Sequence, residues 1–124
     1  MIAIDTSSFV AYLSGDNGED VLAVDLALGD QQAVLPPVVL TELLSDPHLS
    51  PSISELFTSL PLLELTPGFW ERAGTLRSKI LKKGLKARIA DALIAQACID
   101  HEIALISRDA DFRHYVRWGG LTLL

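Results

Sequence analysis

Short apolar runs recur along the chain, each stopped by polar residues and followed by a longer helical pattern. Met1–Ile4 carries the β-branched pair Ile2 and Ile4 and ends at Asp5-Thr6-Ser7. That predicts a buried strand and then a capped helix over Ser7–Leu13. Ser14–Gly18 reads as a turn, and Glu19–Leu28 as a helix with Glu19 and Asp20 at its positive end. Gln31–Pro36 predicts a second strand, stopped by Pro36-Pro37. Pro37 suits a first helical turn, so a helix follows over Val38–Ser45 and ends at Asp46-Pro47. Pro51 opens another helix, Ser52–Ser59, and Leu62–Leu65 reads as a third strand. Thr66-Pro67 starts a long helix, Gly68–Lys83, which Gly84 terminates. An apolar helix over Ile89–Asp100, a strand over Ile103–Ile106, a turn at Trp118–Gly120 and a short strand over Leu121–Leu124 complete the pattern.

Strands alternating with helices predict an α/β fold with a parallel sheet. The runs are short and apolar throughout, as strands covered on both faces are. The expectation is a three-layer α/β/α arrangement with about five short parallel strands, in a single domain over residues 1–124.

Composition narrows the class. Hydrophobic residues make up 49% of the chain, but no run approaches the ~18 apolar residues of a membrane span. The start, MIAIDTSSFV, has no basic region and meets an acid at Asp5, so no signal peptide and no membrane are expected. Cys98 is the single cysteine. It fits a reducing cytoplasm and, lying in an apolar helical run, reads as a small buried residue. His48, His101 and His114 show no zinc-ligand spacing with it.

The net charge of −6 is unevenly spread. Residues 1–71 hold eleven acids and no Lys or Arg, whereas residues 72–124 hold all ten basic residues and five acids. Seven of those ten fall between Arg72 and Arg88. One face of such a dipolar chain can still meet phosphate.

In an open parallel sheet, ligands bind at the carboxyl ends of the strands. Asp5 follows the first strand; Asp109 and Asp111 follow the strand at 103–106. Asp91 lies in the first turn of the helix leading into that strand, and Glu42 in the helix leaving the second. Each has an ordinary role open to it as a cap, a dipole partner, an Asx turn or solvated surface. Glu42 stands out, because Val38, Val39, Leu40, Leu43 and Leu44 around it predict a mostly buried helix. Two carboxylates ~4 Å apart repel by roughly 4 kcal/mol at an effective dielectric of 20. Four on one rim need positive charge, from Lys86, Arg88 and Arg108 or from a hard divalent cation with all-oxygen ligands, Mg²⁺ or Mn²⁺.

Four blocks then resemble the PIN-domain ribonucleases, most closely the VapC-like toxins of bacterial and archaeal toxin–antitoxin pairs. They are Ile4-Asp5-Thr6-Ser7, Val39-Leu40-Thr41-Glu42-Leu43, Ala90-Asp91-Ala92-Leu93-Ile94-Ala95 and Leu105-Ile106-Ser107-Arg108-Asp109-Ala110-Asp111-Phe112. The resemblance spans nearly the whole chain and implies a metal-dependent endoribonuclease acting on single-stranded or loop RNA. By motif it assigns Asp5, Glu42, Asp91 and Asp109 to the acidic quartet and Asp111 to a fifth acid. It places Asp5, Asp91, Asp109 and Asp111 on Mg²⁺ or Mn²⁺, with Glu42 holding the attacking water. Thr6 and Ser107 match the small hydroxyl positions; threonine is commoner than serine at the latter. Lys86, Arg88 and Arg108 are candidate contacts to the RNA backbone. The resemblance also implies a cognate antitoxin, suited electrostatically to the acidic first half, and a homodimer. The rival readings are a non-catalytic PIN-like module binding RNA or protein, an RNA-maturation nuclease and a DNA-directed nuclease. A receiver-like phospho-acceptor fits poorly, because no lysine follows Lys86.

Overall fold

The computed structural model describes residues 1–124. Its elements run β1 (Ile2–Ile4), α1 (Thr6–Leu13), α2 (Glu19–Gly29), β2 (Ala33–Val34), α3 (Pro37–Leu44), α4 (Pro51–Ser59), α5 (Phe69–Leu81), α6 (Ile89–Asp100), β3 (Leu105–Ile106) and α7 (Arg113–Gly119). A 3-10 turn, Ala110–Phe112, joins β3 to α7. The strands form a parallel sheet in the order β2-β1-β3. Ile2 pairs with Ala33 and Ala3 with Val34 on one side; Ala3 pairs with Leu105 and Ile4 with Ile106 on the other. β1 is therefore central, and Ala3 and Ile4 are wholly buried.

The sheet has three strands rather than the expected five or so. The other two segments survive as single parallel bridges, Leu35↔Leu62 and Leu105↔Leu123. At the first, Leu35 donates to Pro61 and accepts from Leu63, both at 2.9 Å. The ladder stops there because Pro36 and Pro37 have no N–H to offer. At the second, Leu105 donates to Thr122 at 2.9 Å and accepts from Leu124 at 3.0 Å, and β3 itself is only two residues long.

Twenty-seven buried residues form one hydrophobic cluster. α6 is its central helix: Ala92, Ile94, Ala95, Ala97 and Cys98 are all buried. Arg72 of α5 forks onto Asp100 at the end of α6, with Nε donating at 3.1 Å and Nη2 at 2.6 Å. Gln96 donates to the same carboxylate at 2.8 Å. These bonds hold Asp100 below its ordinary range, Arg72 having the largest effect.

Two further expectations change. The turn at 118–120 is the end of a helix, α7, with left-handed Gly120 (φ 83°) as its cap. Tyr115 is the buried residue of α7 and packs by its ring on Phe112; the seven residues have too little apolar periodicity to announce a helix. α3 buries only Val39 and Leu43, and Glu42 is exposed rather than enclosed. A helix at the edge of the core needs only one apolar stripe. No helix is long and apolar enough to cross a membrane.

Candidate metal centre

The carboxyl ends of β1 and β3 lie side by side, because the Asp5 amide donates to Ile106 at 2.9 Å. Asp5 is the N-cap of α1, and its side chain accepts from the Ser7 amide at 3.4 Å. The same oxygen, Oδ2, accepts from the Ser7 hydroxyl at 2.6 Å and the Ser107 hydroxyl at 2.9 Å. Asp5 is buried and has no cationic partner, so these hydroxyls carry its hydrogen bonding. Ser107 works in two directions: its Oγ also accepts from the Asp109 amide at 3.1 Å. Asp109 in turn caps the 3-10 turn by accepting from the Asp111 amide at 2.9 Å.

These local caps aim Asp109 and Asp111 at Asp91 in the first turn of α6. One oxygen from each of the three lies within 4.8 Å of the others. Carboxylates this close could share one cation if their side chains drew further together around it. The donor set is all oxygen, and no imidazole or thiolate joins it. That chemistry fits a hard divalent cation.

Two cations already lie against the acids. Arg88 donates to Asp91 through Nε at 3.2 Å and to Asp109 through Nη2 at 2.7 Å. Lys86 stands 3.6 Å from Asp111. The Asp91 carboxyl is nevertheless pushed up. Burial is the largest cause; Arg88 opposes it, and the charges of Asp109 and Asp5 add to it. Beneath the site, Tyr115 is wholly buried and its hydroxyl has no hydrogen-bond partner. Burial first, and then the charge of Asp91, raise that phenol to about 12. Cys98 is buried and inert, its thiol pushed up to about 12 by burial.

The remaining candidates sit differently from one another. Thr6 turns toward α3 and donates to Glu42 Oε1 at 2.8 Å, so the hydroxyl contacts of Asp5 come from Ser7 and Ser107. Ser7 is the residue that sequence reasoning passed over. Its signal was present, because an N-cap carboxylate bonds two or three positions ahead. Arg108 points away from the acids. It donates to Asp20 at 2.8 and 3.1 Å and to Asp16 at 3.4 Å, joining the β3 end to the start of α2.

A family model described as "PIN domain" matches residues 2–117. Among curated proteins, none matches the sequence significantly. Solved structures resemble the whole fold. VapBC2 from Rickettsia felis, bound to a DNA fragment from its promoter, has a chain matching with TM-score 0.68 and 22% identity, over 100% of this chain and 98% of that one. FitAB bound to the IR36 DNA fragment gives TM-score 0.75 and 21% identity, over 100% and 94%. VapBC-5 of Mycobacterium tuberculosis, from the VapBC family of toxin–antitoxin systems, gives 0.63 and 18%, over 99% and 94%.

Proposed function

We propose that this chain, which belongs to the PIN domain family, is a Mg²⁺- or Mn²⁺-dependent endoribonuclease and the toxin of a toxin–antitoxin pair. The observation that carries the reading is the convergence of Asp91, Asp109 and Asp111, beside a buried Asp5 whose charge is felt at Asp91.

Asp5, Asp91, Asp109 and Asp111 would hold the cation. When bound, it supplies Lewis acidity to the scissile phosphate and makes the attacking water more acidic. Ser7 and Ser107 fix the rotamer of Asp5, and Ser107 also sets the loop that presents Asp109. Glu42 has one oxygen committed to Thr6. Its other oxygen is the acceptor we assign to the attacking water, and the Thr6 bond orients it. A cation held by these acids would take the place of Arg88, whose guanidinium would then be free for a substrate phosphate.

The partners we assign are single-stranded or loop RNA, an antitoxin and a second copy of the chain. Two exposed apolar faces support two protein partners. One carries Leu22 and Leu26 on α2; the other carries Trp70, Leu81 and Ile89 around a groove of about 530 Å³. The antitoxin assignment is also supported by the toxin–antitoxin complexes among the structural relatives. Incubating the purified chain with single-stranded RNA in Mg²⁺ tests the activity. Cleavage is expected, with loss in chelator and in Asp91→Asn; cleavage by Asp91→Asn at near wild-type rate would refute the assignment. Co-purification with the product of the adjacent small gene tests the antitoxin.

A further inference from the structure

The ten basic residues differ in what they contact. Arg72, Lys86, Arg88 and Arg108 are all paired with carboxylates. Lys79, Lys82 and Lys83, at the end of α5, make no ion pair and are exposed. They line a cradle of about 800 Å³ that has no hydrophobic residue and a single acid, Glu71, in its wall. α7 packs against α5 and adds Arg117, also unpaired. Trp118 fastens the two helices' charges together: the Lys83 ammonium lies 3.7 Å from its ring centroid and the Arg117 guanidinium 4.8 Å. Of the six basic residues in this chain of net charge −6 that make no ion pair, four therefore share one patch, with Arg77 and Arg113 outside it.

We propose that this patch, Lys79, Lys82 and Lys83 with Arg117 held over Trp118, is the docking track for the phosphate backbone of single-stranded RNA. The inference rests on the nuclease reading above and adds where the substrate lies. Ammonium groups without acidic partners in a polar cradle suit a polyanion, because each phosphate contact releases a counterion. The track also leads to the chemistry. Lys82 is six residues before Arg88, so their backbones are at most about 20 Å apart. Between them Lys86 already touches the acid cluster at Asp111. An RNA strand on the cradle is thereby handed along the loop between α5 and α6 to the acids. The cation–π contacts hold the Lys83 ammonium and the Arg117 guanidinium against Trp118 rather than on acids.

The test is fluorescence anisotropy with a labelled single-stranded RNA of mixed sequence, on the full chain in chelator so that no cleavage occurs. The variant is K79Q/K82Q/K83Q, whose melting temperature and Mg²⁺ response check its fold and acid site. The expected result is an affinity about tenfold lower at low salt, with the slope of log K against log salt reduced by about 2 for three lost contacts on a single strand. Unchanged affinity and slope would overturn the track; if the wild type still cuts RNA in Mg²⁺, the nuclease reading would survive that result. RNA binding that needs the lysines, with no cleavage by the wild type, would keep the track and sink the nuclease. No RNA binding by the wild type, or lysine-dependent binding to phosphatidylserine vesicles alone, would overturn the track.

Discussion

Arg88 donates through Nη2 to Asp109 at 2.7 Å and through Nε to Asp91 at 3.2 Å. One guanidinium from the residue preceding α6 thus clamps two of the three carboxylates that crowd within 4.8 Å. It supplies the positive charge that the acids need, from a side chain 55% exposed and able to swing out.

Replacing Arg88 with Gln separates the two roles of that clamp. The ion pair is mostly solvent-facing and is worth no more than about 1 kcal/mol, so the metal-free melting temperature should fall by about 2–4 °C. The rise produced by Mg²⁺ or Mn²⁺ should become larger than in the wild type, because the cation no longer competes with a guanidinium. Differential scanning fluorimetry across a metal titration measures both. An Mg²⁺ response unchanged by the substitution would mean that Arg88 does not occupy the cation's place.

Asp5→Asn tests the repulsion from the other side. Asn retains a carbonyl oxygen that can accept from Ser7 and Ser107 but removes a buried charge facing Asp91. The metal-free melting temperature should rise by a few degrees, and the Mg²⁺-dependent rise should shrink. For the wild type, Mg²⁺ at a hundredfold excess over Kd should add about 2.7 kcal/mol. A wild type indifferent to both Mg²⁺ and Mn²⁺ would count directly against the site.

Acid stability should depend on Arg108, which lies outside the acid cluster. Its guanidinium, helped by the Ser8 hydroxyl, lowers Asp20 from an ordinary 3.8 to about 2. A depressed carboxylate stabilises the fold above its unfolded value, and that contribution is lost as pH falls toward the folded one. Arg108→Gln should therefore destabilise at pH 5–7 and converge on the wild type between about pH 4 and pH 2. Asp91 titrates with the opposite sign, since its raised carboxyl is relieved by protonation. Urea midpoints at several pH values give the comparison. A difference between the two proteins that stays constant from pH 7 to pH 2 would contradict the Arg108–Asp20 linkage.

The parts legible in the sequence were those set by strong local rules. The helix over Ile89–Asp100 was readable because its apolar residues nearly encircle it and its length suits a helix. The positions of Asp5, Asp109 and Asp111 just beyond strands, and of Asp91 in a first helical turn, were readable from local cap and helix-start rules. Tertiary contacts decided the rest. Pro36 and Pro37 left one outer strand as a single bridge. α7 is sustained by the burial of Tyr115 more than by its own pattern. Thr6 and Ser7 start α1 on different faces, so Thr6 meets Glu42 and Ser7 meets Asp5. No local rule separates Arg88, which faces the acids, from Arg108, which faces α2.

The most direct test of the central claim is to sequence RNA 5′ ends after brief expression of the wild type and of Asp91→Asn. New ends are expected at a small set of single-stranded or loop positions in the wild type, absent from Asp91→Asn expressed to the same level. The same new ends in both, or none in either with folded protein present, would contradict it.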